Sequence, residues 1–582
     1  MDIFSLIVLL GGLAFFLYGM HNLSISLEKL AGGKLQGILQ RITSHPVKGL
    51  LLGAVVTAAI QSSSAVTVML VGLVNSGIMQ FGQTISILMG SNIGTTMTAW
   101  IISLTGIEGD NVLMRLLKPE NFTLVFALIG IIFIMFSKKE RKRDVGGILI
   151  SFAILMYGMK LMSDAVSPLA DMPEFTSILT AFNNPILGVA FGAVFTAIIQ
   201  SSSASVGVLQ ALSLTGQISY GMAIPIIMGQ NIGTCITAII SSVGVTKSAR
   251  RVAVVHVIFN VLGTIVCLTA FYILNTVFQF AFVKTAIHPV GIAFVHTVFN
   301  LITTAFLFPF LKKLEKLAYV FIKEEPHTED KNSFLDERLL NQPSFAIYES
   351  NVIIRKMAEN TKNIIFDAIH LFQKFDPAKA QSIIDGENEL DRYEDELGSY
   401  LVKLSGKDLS DADNMQVSKY LHVIGDFERI GDHAVNIMKS AQEIHDKNAS
   451  FSEDARHELH ALTSALLDIL NMTILSFQNN DILTAKRIEP FEQVIDDIIA
   501  DIRSNHIRRL QEGRCTIELG FILNDLLTNF ERVSDHCSNI AVAMIESDIQ
   551  NFEGHKYLSE MKHAGMDNFE ENYKSFSEKY HL

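Results

Sequence analysis

Charge is what this chain of 582 residues lacks over long stretches, and the lack is uneven. No Asp, Glu, Lys or Arg occurs from Gly49 to Ile107 or from Phe175 to Thr246. A soluble protein rarely leaves so much surface uncharged, so these runs exclude a water-exposed fold there and fit a bilayer. Cysteine is also scarce. Cys235, Cys267, Cys515 and Cys537 have no paired spacing, which argues against a disulfide framework or a zinc knuckle and for isolated buried thiols. Strand signals are few, no nucleotide loop is present and no nucleophile and base are visibly paired, so an enzyme is not expected.

The charges that do occur are divided. Residues 1–310 carry 16 Lys and Arg against 10 Asp and Glu, and residues 311–582 carry 30 against 49. The first part reads as a membrane domain and the rest as a soluble acidic one, with no nucleic-acid partner expected. The apolar run from Ile3 to Met20 follows Asp2 rather than a basic cluster and lacks a small-residue cleavage site, so it reads as a retained helix rather than a signal peptide.

The membrane part is duplicated. Gln61-Ser62-Ser63-Ser64-Ala65 returns 139 positions later as Gln200-Ser201-Ser202-Ser203-Ala204. Gly90-Ser91-Asn92-Ile93-Gly94-Thr95 returns as Gly229-Gln230-Asn231-Ile232-Gly233-Thr234, and 26 of the 53 positions from Pro46 to Thr98 are identical to Pro185–Thr237. Tyr18-Gly19-Met20 and Tyr157-Gly158-Met159 extend the match towards the N-terminus.

Seven apolar spans can be drawn, at about 3–20, 82–104, 121–137, 145–162, 219–243, 252–276 and 286–310. Val47–Ile60 is only 14 residues, roughly 21 Å of helix, and runs straight into polar residues, so the segments around the two serine patches suit re-entrant hairpins. The clusters Lys138–Arg143, Lys247–Arg251 and Lys312–Lys316 fall on one side if the N-terminus is outside and the C-terminus inside. On that count the loop with Lys29, Lys34, Arg41 and Lys48 lies inside. Its counterpart with Asp164, Asp171 and Glu174 lies outside, so the two copies are inverted, as in many secondary transporters. A smaller echo, V-H-x-x-F-N, places His256 with Asn260 and His296 with Asn300. Hydrogen bonding between helices is the simpler reading, and proton or phosphate handling the other.

These patches hold no Arg or Lys, yet they combine hydroxyls, amides and glycines where helices should break. A half-helix N-terminus offers unpaired N–H groups and about half a positive charge, which makes an anion site. Freed carbonyls with Ser, Thr, Gln and Asn oxygens suit Na⁺, whose charge would offset the anion. Close helix packing by small residues is the competing explanation, and the duplication of both patches at one spacing favours the site.

With QSSSA and the later NIGT in both halves, residues 1–310 resemble the type II sodium/phosphate cotransporters. The resemblance implies Na⁺-coupled movement of inorganic phosphate. Carried over by position, it names Gln61, Ser62, Ser63, Ser64, Gln200, Ser201, Ser202 and Ser203, with Asn92, Thr95, Asn231 and Thr234. Val66-Thr67 faces Ser205-Val206 between the copies and leaves the sodium stoichiometry open.

The acidic part repeats a motif of its own. Phe427 to Ile437 returns as Phe530 to Ile540 in the frame E-R-x-x-D-H-x-x-N-I, each preceded by an E-x-x-x-D pair, Glu387 with Asp391 and Glu492 with Asp496. Like charges at that helical spacing cost about 0.2–0.5 kcal/mol, which a bound cation would relieve. Residues 345–550 are similar to the PhoU family, regulators of phosphate uptake built from two three-helix repeats. That similarity implies a regulatory role and a divalent metal or iron on Glu387, Asp391, Glu428, Asp432, Glu492, Asp496, Glu531 and Asp535.

The expected protein is all-α. A membrane domain spans 1–310 with repeats at about 1–137 and 145–310, a linker 311–345, a PhoU-like cytoplasmic bundle 346–550 and a tail 551–582. It sits in the cell membrane with phosphate, sodium and lipid as partners, and a homo-oligomer is compatible with the sequence. Phosphate export and a non-transporting phosphate sensor remain the other readings.

Overall fold

Breaks in helices shape the first half of the molecule. The computed structural model describes residues 3–39, 45–106, 119–168, 181–323, 334–549 and 567–581. It divides into two units, Met1–Asn332 with Asp336–Phe345 and Ser333–Leu335 with Ala346–Leu582. Arg41, Asp171, Glu174 and linker residues 324–333 lie outside the described residues.

In the first unit α1 (Ile3–Leu39) is followed by α2 (Pro46–Ile60), α3 (Ser63–Asn75), α4 (Phe81–Ser103), α5 (Pro119–Phe136) and α6 (Glu140–Val166). The second copy gives α7 (Pro185–Ile199), α8 (Ser202–Ser213) and α9 (Tyr220–Ser241), and α10 (Lys247–Phe278), α11 (Pro289–Leu307) and α12 (Leu311–Phe321) complete the unit. Proline opens α2 and α7, where a missing N–H costs no helical bond. Both helices end on a glutamine in the left-handed region, Gln61 at φ 60° and Gln200 at φ 59°, and a single extended serine then starts the next helix. At 15 and 13 residues, α2 and α3 measure roughly 22 and 20 Å, too short to cross a bilayer core separately.

Glycine lets each hairpin lie directly on its neighbour. A Cβ on Gly53 would sit 2.0 Å from the Ile87 carbonyl oxygen and one on Gly90 1.9 Å from that of Leu50. In the second copy the matching approaches are 2.2 Å, Gly192 to Ile226, and 2.1 Å, Gly229 to Val189. The backbones of α2 and α4, and of α7 and α9, therefore touch.

The two copies also meet reciprocally. A Cβ on Gly19 would be 2.4 Å from Leu155 N, and one on Gly158 2.4 Å from Phe16 N. Since 16 and 155, like 19 and 158, are equivalent positions, this is the self-complementary contact of a two-fold relation. Gly12 meets Leu161 and Met162 while Gly19 meets Ser151 and Leu155, so α1 and α6 run antiparallel and the copies are inverted. Val206, Leu209, Ile227 and Ile292 form a core with Ala99 of α4.

By length and composition seven described helices could cross a membrane, but they are not the seven drawn from sequence. Six coincide. The span drawn at 121–137 falls on α5, an 18-residue helix that is apolar over the described Phe122–Phe136, and the seventh helix, Glu453–Asn479, lies in the second unit. Its apolar residues Leu462, Leu466, Ile469 and Leu470 are buried, so its hydropathy is that of a core helix. Leu311–Phe321, expected in the linker, is helical because Leu314 and Ala318 give it an apolar side to bury.

The second unit holds α13 (Pro343–His370, its last 25 residues), α14 (Pro377–Ser405), α15 (Asp411–Asp446), α16 (Glu453–Asn479), α17 (Ile488–Gln511) and α18 (Ile517–Ile549). Ser and Asp caps fix the starts, such as Ser410 accepting from Asp413 N and Ser452 from Ala455 N. The duplicated motif lies on α15 and α18, which pack together. Buried Arg509 grips Glu458 with two bonds of 2.8 and 2.7 Å, tying α17 to α16. The polar tail, unassigned from sequence, contains α19 (Asp567–Lys579), whose Phe576 stacks on Phe491 at 4.2 Å.

Candidate functional site

Each hairpin tip is a left-handed glutamine, an extended serine and a fresh helix N-terminus. Ser62 caps α3 by accepting from Ala65 N at 3.2 Å, and its carbonyl accepts from Val66 N at 3.3 Å. Ser201 treats Ala204 N (3.2 Å) and Ser205 N (3.1 Å) in the same way. The N–H groups of Ser63 and Ser64, and of Ser202 and Ser203, precede the first intrahelical bonds and have no acceptor within their helices. Each tip thus offers two amide donors with two serine hydroxyls beside them, at the positive end of a helix. Ser63, Ser202 and Ser203 are buried. Ser62 and Ser201 are already engaged as caps, so the sequence pattern overstates the hydroxyls free for a ligand.

The tips differ from one another. Buried Gln61 accepts from Thr98 Oγ1 at 2.8 Å and donates to Ala58 O at 2.5 Å, whereas Gln200 is exposed. Below each tip a threonine donates sideways by two different routes: Thr57 to Ser91 Oγ on α4 at 2.7 Å, and Thr196 to Ser205 Oγ on α8 at 2.8 Å. Where the first copy has Ser91, the second has Gln230, which donates to Ser205 O at 3.0 Å. The departure at Val66 and Ser205 is therefore half of an exchange. None of Thr57, Ser91, Thr98, Thr196, Ser205 or Gln230 was singled out from sequence as a group, although the aligned pair Thr57 and Thr196 was there to be read.

Thr95 and Thr234 turn back on their own helices, to Ser91 O and Gln230 O. Asn92 and Asn231 reach outward. Asn92 donates to Asn260 Oδ1 at 3.3 Å and Asn231 Oδ1 meets His296 Nε2 at 3.2 Å, so the V-H-x-x-F-N helices α10 and α11 bond to both N-I-G-T segments. This is the interhelical role read from the sequence. Asn231 Nδ2 is buried without a hydrogen-bond partner.

In the second unit Glu492, Asp496 and Asp535 bring one carboxylate oxygen each within 4.8 Å of the others, and Asp496 Oδ1 is buried without a partner. Burial, with the neighbouring carboxylates, pushes Glu492 up to about 8, and burial with Asp535 and Glu531 nearby raises Asp496. Glu531 is drawn into an ion pair with Arg503 at 2.8 Å. In the other repeat burial, with Asp432 and Asp391 nearby, pushes Glu428 up to about 7, and Glu387 is raised by burial and by Asp432. Among the described residues no group of three there meets as closely as the first.

The histidines of the motif do something the sequence did not indicate. His433 meets Asn529 Oδ1 at 2.8 Å, His536 meets Asp426 Oδ1 at 2.9 Å, and the rings lie 5.8 Å apart. They join the two repeats, and the motif is duplicated where α15 meets α18.

Comparison with known proteins follows the same division. Residues 15–164 and 154–291, two segments whose starts are 139 apart, match the Na+/Pi-cotransporter family, and residues 354–441 and 459–544 match the PhoU domain. "Putative inorganic phosphate export protein YjbB" of Escherichia coli (strain K12) is 22% identical over 551 residues, covering 93% of this chain and 98% of that protein. "Uncharacterized protein YqeW" of Bacillus subtilis (strain 168) is 32% identical over 250 residues, 43% of this chain and 77% of its own. "Sodium-dependent phosphate transport protein 2A" of Rattus norvegicus is 42% identical over 100 residues, 17% of this chain and 16% of that one.

Proposed function

The chain belongs to the Na+/Pi-cotransporter family and carries a PhoU domain in the same polypeptide, and on that premise we propose that it moves inorganic phosphate across a membrane together with sodium. The observation that carries the reading is the paired tips. Two inverted hairpins each present unbonded serine N–H groups and hydroxyls at a helix N-terminus, with no basic side chain among the tip residues. Such donors bind an anion without fixing a permanent positive charge. Sodium, held by amide and hydroxyl oxygens of the same segments, supplies the compensating charge.

Ser63, Ser64, Ser202 and Ser203 grip phosphate in this reading, Ser62 and Ser201 set the helix starts, and Gln61 and Gln200 form the turns. Asn92, Thr95, Asn231 and Thr234 complete the sodium and phosphate surroundings. Loop charge supports an outside N-terminus and a cytoplasmic second unit, with the membrane domain over 1–310 and the PhoU-like domain over 346–550. In that second unit Glu492, Asp496 and Asp535 hold a divalent metal or iron ion, which neutralises their repulsion and fixes α17 to α18. The domain acts as a regulator, and no catalytic reaction is assigned to it.

Export is the second reading. It is favoured by the likeness to YjbB over nearly the full length of both proteins, PhoU region included. The binding chemistry is common to both directions, and the gradients decide between them.

Radiolabelled phosphate flux in proteoliposomes with imposed Na⁺ gradients tests the proposal. Uptake that follows the sodium gradient is expected. Sodium-independent flux would refute the coupling, outward movement under physiological gradients would favour export, and binding without flux would make the protein a sensor.

A further inference from the structure

Asp336 to Asn341 lead straight into α13 in sequence, yet they belong to the first unit. Asp336 is 5% exposed. Its Oδ1 accepts from Arg338 N at 3.0 Å and Arg338 Nε at 2.7 Å, and its Oδ2 accepts from Arg338 Nη2 and from Asn75 Nδ2, the latter at 3.3 Å. Arg338 Nη1 donates to Ser241 O. Asn75 completes the junction, accepting from Thr246 N at 2.9 Å. Leu339, fully buried, lies over Gly72, where a Cβ would meet its Cγ, Cδ1 and Cδ2 at 3.1 Å.

These partners come from both copies of the repeat. Asn75 and Gly72 lie at the far end of α3, whose opposite end is the tip at Ser63. Ser241 is the last residue of α9, which carries Asn231, and Thr246 caps α10. One ion-paired segment therefore ties an arm of the first hairpin to the helices of the second copy. Any motion of one copy against the other has to slide α3 past the α9–α10 turn at this point. The Asp336–Arg338 pair lies within the segment and holds its two ends as one piece, so such a motion has to break the bond from Asn75 Nδ2 to Asp336 Oδ2 or the bond from Arg338 Nη1 to Ser241 O.

We propose that Asp336–Leu339 is a clasp that restrains α3 against α9 and α10, that transport requires its release, and that it is the covalent route by which the PhoU region influences the phosphate site. The inference rests on the transport reading. Sequence shows only a linker here, because an Asp and an Arg two apart carry no signal without the Asn75 and Ser241 that receive them.

The test uses the full chain in proteoliposomes, with hydrogen exchange of residues 336–341 as a second readout. Asp336→Ala removes the shared acceptor and Asn75→Asp sets a carboxylate against Asp336 while keeping that residue, so the second variant serves if the first fails to fold. Both are expected to speed exchange in 336–341 by about tenfold. Both are expected to raise maximal phosphate flux roughly two- to fivefold with KM for phosphate unchanged. Exchange no faster than in the parent protein would show that the contact is not held in solution, and faster exchange with unchanged or lower flux would show that it restrains nothing. Either outcome overturns the clasp. If the parent protein moves no phosphate at all, the transport reading fails instead, and exchange still reports whether the segment is held.

Discussion

Ser63 and Ser202 differ from the serines before them in one respect: their hydroxyls are not consumed in capping. Ser63→Ala and Ser202→Ala should each raise KM for phosphate several-fold while leaving the fold intact, because the backbone N–H groups remain. Phosphate titration of initial flux checks this, and unchanged KM in both would return the patches to a packing role. Ser62→Ala should behave differently, since it removes a cap worth about 1 kcal/mol and lowers thermal stability first. Ser91→Ala and Ser205→Ala should cost about 1 kcal/mol each, for each strands a buried threonine hydroxyl, and melting in detergent measures it. The serine patches were legible in the sequence because repetition marks them. The unequal glutamines were not: Gln61 and Gln200 share a backbone conformation and an alignment column, and only the position of Thr98 pins one and not the other.

At the scale of elements, the crossing of α2 on α4 depends on bare backbone. Gly53→Ala or Gly192→Ala would force a methyl to within about 2 Å of a carbonyl oxygen, and folded protein should be lost. Gly11→Ala, with nothing within 4 Å, should be neutral, and the yield of monodisperse protein after size exclusion compares the three. The half-length hairpin arms were readable from apolar run length and the polar residues that end it. Inversion was readable from loop charge, and the antiparallel pairing of Gly12 and Gly19 with α6 now gives it a packing basis. Hydropathy alone does not tell a membrane helix from a core helix, and the sequence reading kept the two apart by charge, placing every span before residue 311. Glu453–Asn479 is as apolar as a membrane helix, because burial in a bundle and burial in lipid call for the same side chains. The helix at Leu311–Phe321 was hidden by its lysines, which occupy one side of an otherwise apolar turn.

For the whole molecule, the raised carboxyls of the second unit make its stability depend on pH and metal. Glu428, shifted from 4.5 to about 7, binds its proton in the folded state over a range where the unfolded chain has released it. Stability from this group is full below about pH 4.5 and is lost as pH rises through 7; Glu387, Glu492 and Asp496 act in the same direction. Protection of the α14, α15 and α17 amides in the full-length, metal-stripped protein, measured as exchange relative to the intrinsic rate at each pH, should therefore fall between pH 5 and pH 8. Mn²⁺ or Mg²⁺ should reverse the change in α17, and Asp496→Ala with Asp535→Ala should abolish that rescue. Equal protection at both pH values would remove these carboxyls from any switch.

The exchange between Ser91 with Val66 and Gln230 with Ser205 bears on which residues can be swapped between the copies. Two copies of one unit now satisfy the same threonine by different internal routes, with the accepting hydroxyl on α4 in the first and on α8 in the second. Thr57, Val66 and Ser91 lie in one copy and Thr196, Ser205 and Gln230 in the other, so each set is complete within its own half and has to move as a set. Transplanting Ser205 alone into position 66 would crowd a second hydroxyl beside Thr57, whereas moving Ser205 and Gln230 together should be tolerated. What the halves no longer share is single residues, since a position can be exchanged between them only together with the partner it bonds.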